Sequence, residues 1–229
     1  MKANFKEQYF SSADGKKIDL YEYSPKNKIH SSIILVYEIF GKTEHIHNFA
    51  IKLASEGILV HVPDIFSRFK SKMIFPYSKE GFQEGIKIKE SLGWQIPVMD
   101  IVSCAALLKK KYSVNIMGFC YGASLSWIAT QKSFIFEKAI CYYGSDIHNF
   151  LNKKINCSTT LHLGKEDKGM PENLVKKIKE YALNQNYSVD IFEYDNADHG
   201  FNCEDREHYS SDASSLSFKR SLDFLKGLQ

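Results

Sequence analysis

Gly118-Phe119-Cys120-Tyr121-Gly122 has the form of a nucleophile elbow with cysteine where serine usually stands. The apolar run at 114–117 before it and Ala123, Ser124 and Leu125 after it read as strand, sharp turn and helix. A nucleophile raised on such a turn occupies strained backbone, so its neighbours must be small, and Gly118, Gly122 and Ala123 meet that demand. A helix beginning at the turn aims unpaired N–H groups and a partial positive charge at the sulfur, which favours thiolate over thiol. An inert buried cysteine between two chance glycines gives the same five letters. The rest of the chemistry must therefore decide.

A cysteine nucleophile needs a base, and the base needs a carboxylate that fixes its tautomer. On a strand-turn-helix elbow the chain order is nucleophile, acid, histidine. Asp167 stands in Gly164-Lys165-Glu166-Asp167 and His199 in Asp198-His199-Gly200-Phe201, each just beyond an expected strand. Glu166 and Asp198 are rival carboxylates in the same loops. Attack on an ester carbonyl creates an oxyanion, for which the backbone N–H of Tyr121 is the expected first donor and that of Ile39 the second. His45 and His47 are spaced like ligands but have no evident third partner, so they read as solvated or pocket-rim residues and no metal site is expected.

The elements that must position these groups follow from pattern. Asp14-Gly15 marks a hairpin turn, so the chain opens with antiparallel edge strands. Residues 32–40 form a nearly unbroken apolar run, expected as a central strand buried on both faces and interrupted near its end by Glu38. Helical spacing covers 46–57 and 98–108, with a strand at 58–62 between them. The elbow helix carries Leu125, Trp127, Ile128 and Ala129, and short strands at 139–143 and 160–163 each run into a glycine. A helix at 171–181 with Pro171 at its start, a last strand at 188–194 and a helix at 216–225 complete the order. This alternation predicts a single-domain α/β fold over 1–229, with a mostly parallel central sheet flanked by helices and function at the carboxyl ends of the strands. Residues 69–96 mix Phe69, Met73, Phe75, Tyr77, Phe82 and Trp94 with charged groups and fit a pocket wall, a lid or a core cover equally.

Composition narrows the setting. A chain of 229 residues with 44% apolar content can bury a substantial core. Thirty basic against 27 acidic side chains leave a formal charge of +3, with the lysines interleaved, so nucleic acid is not an expected partner. The first ten residues hold no apolar core for a signal peptide or membrane span, which predicts a cytoplasmic protein. Five scattered cysteines without a Cys-x-x-Cys pair suggest neither a disulfide framework nor structural zinc.

Five segments together resemble the dienelactone hydrolase family of α/β-hydrolases over nearly the whole chain: Tyr37-Glu38-Ile39-Phe40-Gly41, Val62-Pro63-Asp64-Ile65-Phe66, Gly118-Phe119-Cys120-Tyr121-Gly122-Ala123, Gly164-Lys165-Glu166-Asp167 with Pro171, and His199-Gly200-Phe201. The resemblance implies a Cys120, Asp167, His199 triad and carboxymethylenebutenolidase-like hydrolysis of an enol-lactone or similar activated ester without a cofactor. It also implies that Glu38 contacts the resting cysteine and helps generate the thiolate when substrate binds. In the family an arginine a few residues beyond the histidine holds a substrate carboxylate. Here Asn202 and Cys203 stand in that place, leaving Arg206, farther along, and Arg68 as candidate substrate contacts. The expected partner is a small-molecule ester or lactone, and the expected state a monomer or weak homodimer. A broad carboxylesterase or thioesterase, or a ligand-binding protein that kept the scaffold and lost turnover, are the alternatives.

Overall fold

A computed structural model describes residues 3–228 of the chain. It divides into two compact units, one ending at Ile116 and the next beginning at Met117.

In the first unit, β1 (Ala3–Ser11) and β2 (Lys17–Pro25) form the antiparallel hairpin expected from Asp14-Gly15, with Phe10 opposite Ile18. β2 also pairs antiparallel with β4 (Ile58–Asp64), and β4 pairs parallel with β3 (Ser31–Val36). All seven residues of β4 and five of six in β3 are buried, as continuous apolar runs require when both faces are covered. The strand expected over 32–40 stops at Val36, because Gly41 N–H bonds back to Glu38 C=O at 3.1 Å and turns the chain. Three helices follow the strands: α1 (Glu44–Ser55), α2 (Lys79–Leu92) and α3 (Gln95–Lys109). α3 begins three residues before the expected 98 because Pro97 falls in its first turn, where its missing N–H costs nothing.

β5 (Val114–Phe119) runs across the boundary, with Ser113 C=O accepting from Ser32 N–H at 3.1 Å inside the first unit. The second unit continues with α4 (Tyr121–Lys132), β6 (Lys138–Tyr142), β7 (Ser158–Gly164), α5 (Glu172–Ala182), β8 (Val189–Tyr194) and α6 (Ser211–Lys226). β6, β7 and β8 are parallel, in a register that sets Ala139 by Thr159 and Leu161 by Ile191. Ala123, Trp127, Cys141, Ile147, Leu161, Met170 and Ile178 form a common core there. Burying a side chain of this kind is worth roughly 1.5–3 kcal/mol, so this cluster anchors α4 and α5 to the strands. α6 starts five residues before the expected 216, since its first turn is polar and is capped by the Ser210 hydroxyl.

Strand order is β1-β2-β4-β3-β5-β6-β7-β8, a mostly parallel sheet with an antiparallel N-terminal edge. No single helix among the described residues is long and apolar enough to cross a membrane.

Candidate active site

Cys120 sits between β5 and α4 with φ 52° and ψ −115°, a conformation that a cysteine holds only when its surroundings impose it. Those surroundings are visible. Cys120 N–H donates to Tyr142 C=O at 2.9 Å, and Cys120 C=O accepts from Ala123 and Ser124 at 3.1 and 3.2 Å. A side chain at Gly118 would bring its Cβ within 2.1 Å of Gly122 C=O, so the elbow closes only with glycine there. Cys120 is partly exposed, whereas Phe119 and Tyr121 on either side are buried.

The acid and histidine loops are stitched to each other by backbone. Lys165 N–H donates to Tyr194 C=O at 3.0 Å and Glu166 N–H to Ala197 C=O at 2.9 Å. Gly164 permits the approach, because a Cβ there would lie 2.3 Å from the Ala197 oxygen. This brings together the three residues singled out by sequence. Asp167 Oδ2 lies 2.8 Å from His199 Nδ1, and His199 Nε2 lies 3.1 Å from Cys120 Sγ. Asp167 is buried and its Oδ1 accepts from Gly169 N–H at 2.8 Å, which fixes the carboxylate plane. The rivals point elsewhere: Glu166 is exposed, and Asp198 accepts from His199 N–H at 2.6 Å.

Burial by itself lowers the pKa of His199. The charge on Cys120 and the hydrogen bond to Asp167 outweigh it and push the imidazole up to about 10. The arrangement therefore favours the imidazolium form of His199. Tyr143 closes one side of the ring at a centroid distance of 5.1 Å, edge-on at 61°, and its own φ of 40° is left-handed.

In the first unit, Glu38 is buried and its Oε2 accepts from the Tyr77 hydroxyl at 3.1 Å. Tyr77 is in turn 2.8 Å from Thr43 Oγ1. Sequence reading named Glu38 but missed both hydroxyls, since neither lies in a motif. Ile39 is buried beside it in the same turn.

Arg68 has a different place from the substrate contact expected of it. Its Nε and one terminal nitrogen grip the two oxygens of buried Asp100 at 2.7 and 2.6 Å, and the other terminal nitrogen donates to Asp14 at 2.9 Å. All three nitrogens are engaged by carboxylates, which makes Arg68 a clamp on the fold. Arg206 lies in the second unit with its guanidinium against Gly200, where a Cβ would come within 2.2 Å of a terminal nitrogen. That puts a cation directly beside the residue after His199. His45 and His47 do not converge: His45 packs against the Phe49 ring, while His47 Nδ1 is 2.8 Å from the Tyr23 hydroxyl. No group of three or more ligating side chains among the described residues is placed to hold a metal ion.

Comparison with known proteins bears on the family and the fold. The model of the dienelactone hydrolase family matches residues 18–228. A carboxymethylenebutenolidase of Pseudomonas putida is 24% identical over 225 residues, covering 95% of this chain and 94% of its own. A candidate carboxymethylenebutenolidase of Synechocystis sp. is 25% identical over 203 residues, 82% of each chain. Among solved structures, a candidate dienelactone hydrolase from Klebsiella pneumoniae superposes with a TM-score of 0.83 at 23% identity, covering 96% of this chain and 97% of its own. The dienelactone hydrolase of Anabaena variabilis gives 0.73 at 11% identity, with 99% of each chain covered. At these identities the structural likeness speaks to the fold.

Proposed function

Because this chain belongs to the dienelactone hydrolase family of hydrolases, we propose that it cleaves an enol-lactone or similarly activated carboxylic ester through Cys120, His199 and Asp167, by way of a thioester. The observation that carries the reading is the unbroken line from Asp167 through His199 to the Cys120 sulfur, at 2.8 and 3.1 Å.

In this mechanism the thiolate attacks the carbonyl carbon and the charge moves to the carbonyl oxygen. Backbone N–H groups of Tyr121, next to the nucleophile, and of Ile39, in the turn after β3, stabilise that oxyanion in this reading. Collapse expels the enolate or alkoxide, which takes the proton from His199 Nε2, leaving a thioester and neutral imidazole. Water then hydrolyses the thioester with His199 as base. An enol is a good leaving group, so a sulfur nucleophile suffices. Glu38 takes its role from the resemblance, assisting thiolate formation when substrate binds, and the Tyr77 hydroxyl holds its side chain in place.

Arg206 is the cation best placed to meet an acidic substrate group, because its guanidinium lies against Gly200. The whole chain acts in this reading as one domain, a cytoplasmic monomer or weak homodimer that needs no cofactor; five free cysteines suit a reducing compartment.

The direct test is steady-state hydrolysis of cis-dienelactone by wild type and by folded Cys120→Ala. Turnover abolished in the variant supports the proposal. If neither protein turns over the lactone, simple aryl esters and acyl thioesters separate a broader esterase from a binding protein without turnover.

A further inference from the structure

His199 Nδ1 faces two acceptors, not one. Asp167 Oδ2 is 2.8 Å away and the Ser145 hydroxyl 3.4 Å. The nitrogen carries a single proton, so the carboxylate holds it at rest and the hydroxyl is a longer, second seat.

That seat is built into the turn after β6. His148 Nδ1 donates to Ser145 C=O at 2.7 Å, and Ile147 N–H donates to Gly144 C=O at 3.1 Å. A Cβ at Gly169 would stand 3.2 Å from Ser145 Oγ and 3.1 Å from Asp167 Oδ1, so a glycine keeps both acceptors side by side. The turn follows Tyr142, the last residue of β6, whose carbonyl holds Cys120 N–H, and it carries Tyr143, whose ring edge meets the imidazole. Left-handed φ is taken by Tyr143 rather than by Gly144; Gly144 is needed for room, since a Cβ there would lie 2.7 Å from Ile147.

The proposed thioester route holds His199 Nε2 against sulfur at rest, at 3.1 Å, and in hydrolysis of the thioester asks it to take a proton from a water whose oxygen must reach the acyl carbon. Sulfur and the water oxygen are separate substituents of the acyl carbon in that step, so Nε2 cannot meet both from one position. The ring must tilt between them, and tilting stretches its bond to Asp167. We propose that Ser145 is a positioning residue for hydrolysis of the thioester: its hydroxyl shares the Nδ1 proton when the imidazole turns from sulfur toward water. In that step the water oxygen bonds to the acyl carbon and one water proton passes to Nε2. The carbon–sulfur bond breaks with its electron pair on sulfur, and a carboxylic acid leaves. Thiolate and imidazolium are restored. Acylation by a nitrophenyl ester expels a nitrophenolate that needs no proton, so with that substrate the ring keeps its resting seat and the step does not call on Ser145.

This rests on the Cys120 thioester reading, and the experiment keeps the two apart. Rapid mixing with p-nitrophenyl acetate gives a burst of nitrophenolate for acylation and a steady state for hydrolysis, while acid quench and intact mass show the acetyl group on protein. Ser145→Ala should keep its burst rate within about twofold of wild type and lose about tenfold in steady-state rate, the worth of one hydrogen bond used in one step. Acetyl-enzyme should accumulate, and Ser145→Thr, which keeps the hydroxyl, should recover most of the rate. A parallel fall of burst and steady state, or no change in either, overturns the proposal for Ser145. Wild type that never carries acetyl on Cys120 overturns the thioester reading itself.

Discussion

His162 is fully buried and His199 partly buried in the second unit, and their surroundings drive them in opposite directions. His162, on β7, is fully buried between two hydroxyls, with Tyr194 at 2.7 Å from Nδ1 and Ser221 at 3.1 Å from Nε2. Burial, reinforced by the charge of Arg220, pushes its pKa down to about 3, so it stays neutral. His199 meets a carboxylate and a sulfur and is pushed up to about 10. Neutral hydroxyls satisfy a ring without offering compensation for charge; ionised partners do both. The character of the partners, more than depth, distinguishes the histidine that holds the fold from the one placed to move protons.

Removing each ring breaks the comparison most sharply. His199→Ala should lower kcat at least about a thousandfold with a melting temperature near that of wild type, measured by ester turnover and calorimetry. His162→Ala should do the reverse. It leaves a cavity and strips partners from Tyr194 and Ser221, at a cost of about 2–4 kcal/mol, while the folded fraction turns over within about twofold of wild type. Urea melts beside activity per folded molecule check both halves.

Acidity sharpens the contrast. The folded pKa of His162 lies below the ordinary 6.5, so its contribution is complete above that pH and is lost as pH falls toward about 3. The folded pKa of His199 lies above 6.5, so its contribution is present at lower pH and is lost as pH rises toward about 10. Melting temperature against pH should therefore lose its acid limb in part in His162→Ala and its alkaline limb in part in His199→Ala. Unaltered limbs in both variants would refute the assignment. The smallest effect is expected from Ser221→Ala, about 1 kcal/mol with no change in kcat, since Tyr142 and His162 lose one shared hydroxyl.

What sequence could tell differs between these regions for physical reasons. Cys120, Asp167 and His199 were legible because each follows a short apolar strand, and parallel strands put such loops at one edge. Adjacent side chains diverge, and of Asp167 and its rival Glu166 it is Asp167, the one already preferred from sequence, that meets His199. Arg68 was misleading because its partner Asp100 lies 32 residues away on α3, a pairing that no local pattern encodes. α2 was hidden by glycines inside a polar helix; there Gly85 lets the helix pack where a Cβ would lie 2.3 Å from Ile39 C=O. Ser145 belongs to no motif, and only its distance from an imidazole nitrogen reveals it.

The distribution of thiols has a practical consequence. Cys104, Cys141, Cys157 and Cys203 are buried, and burial raises the thiols of the first three, that of Cys157 to about 12. Cys120 alone is within reach of solvent. A limiting amount of iodoacetamide at neutral pH should thus label one sulfur per chain, so that a mass spectrum counts competent enzyme molecules in any preparation and every measured rate can be referred to them.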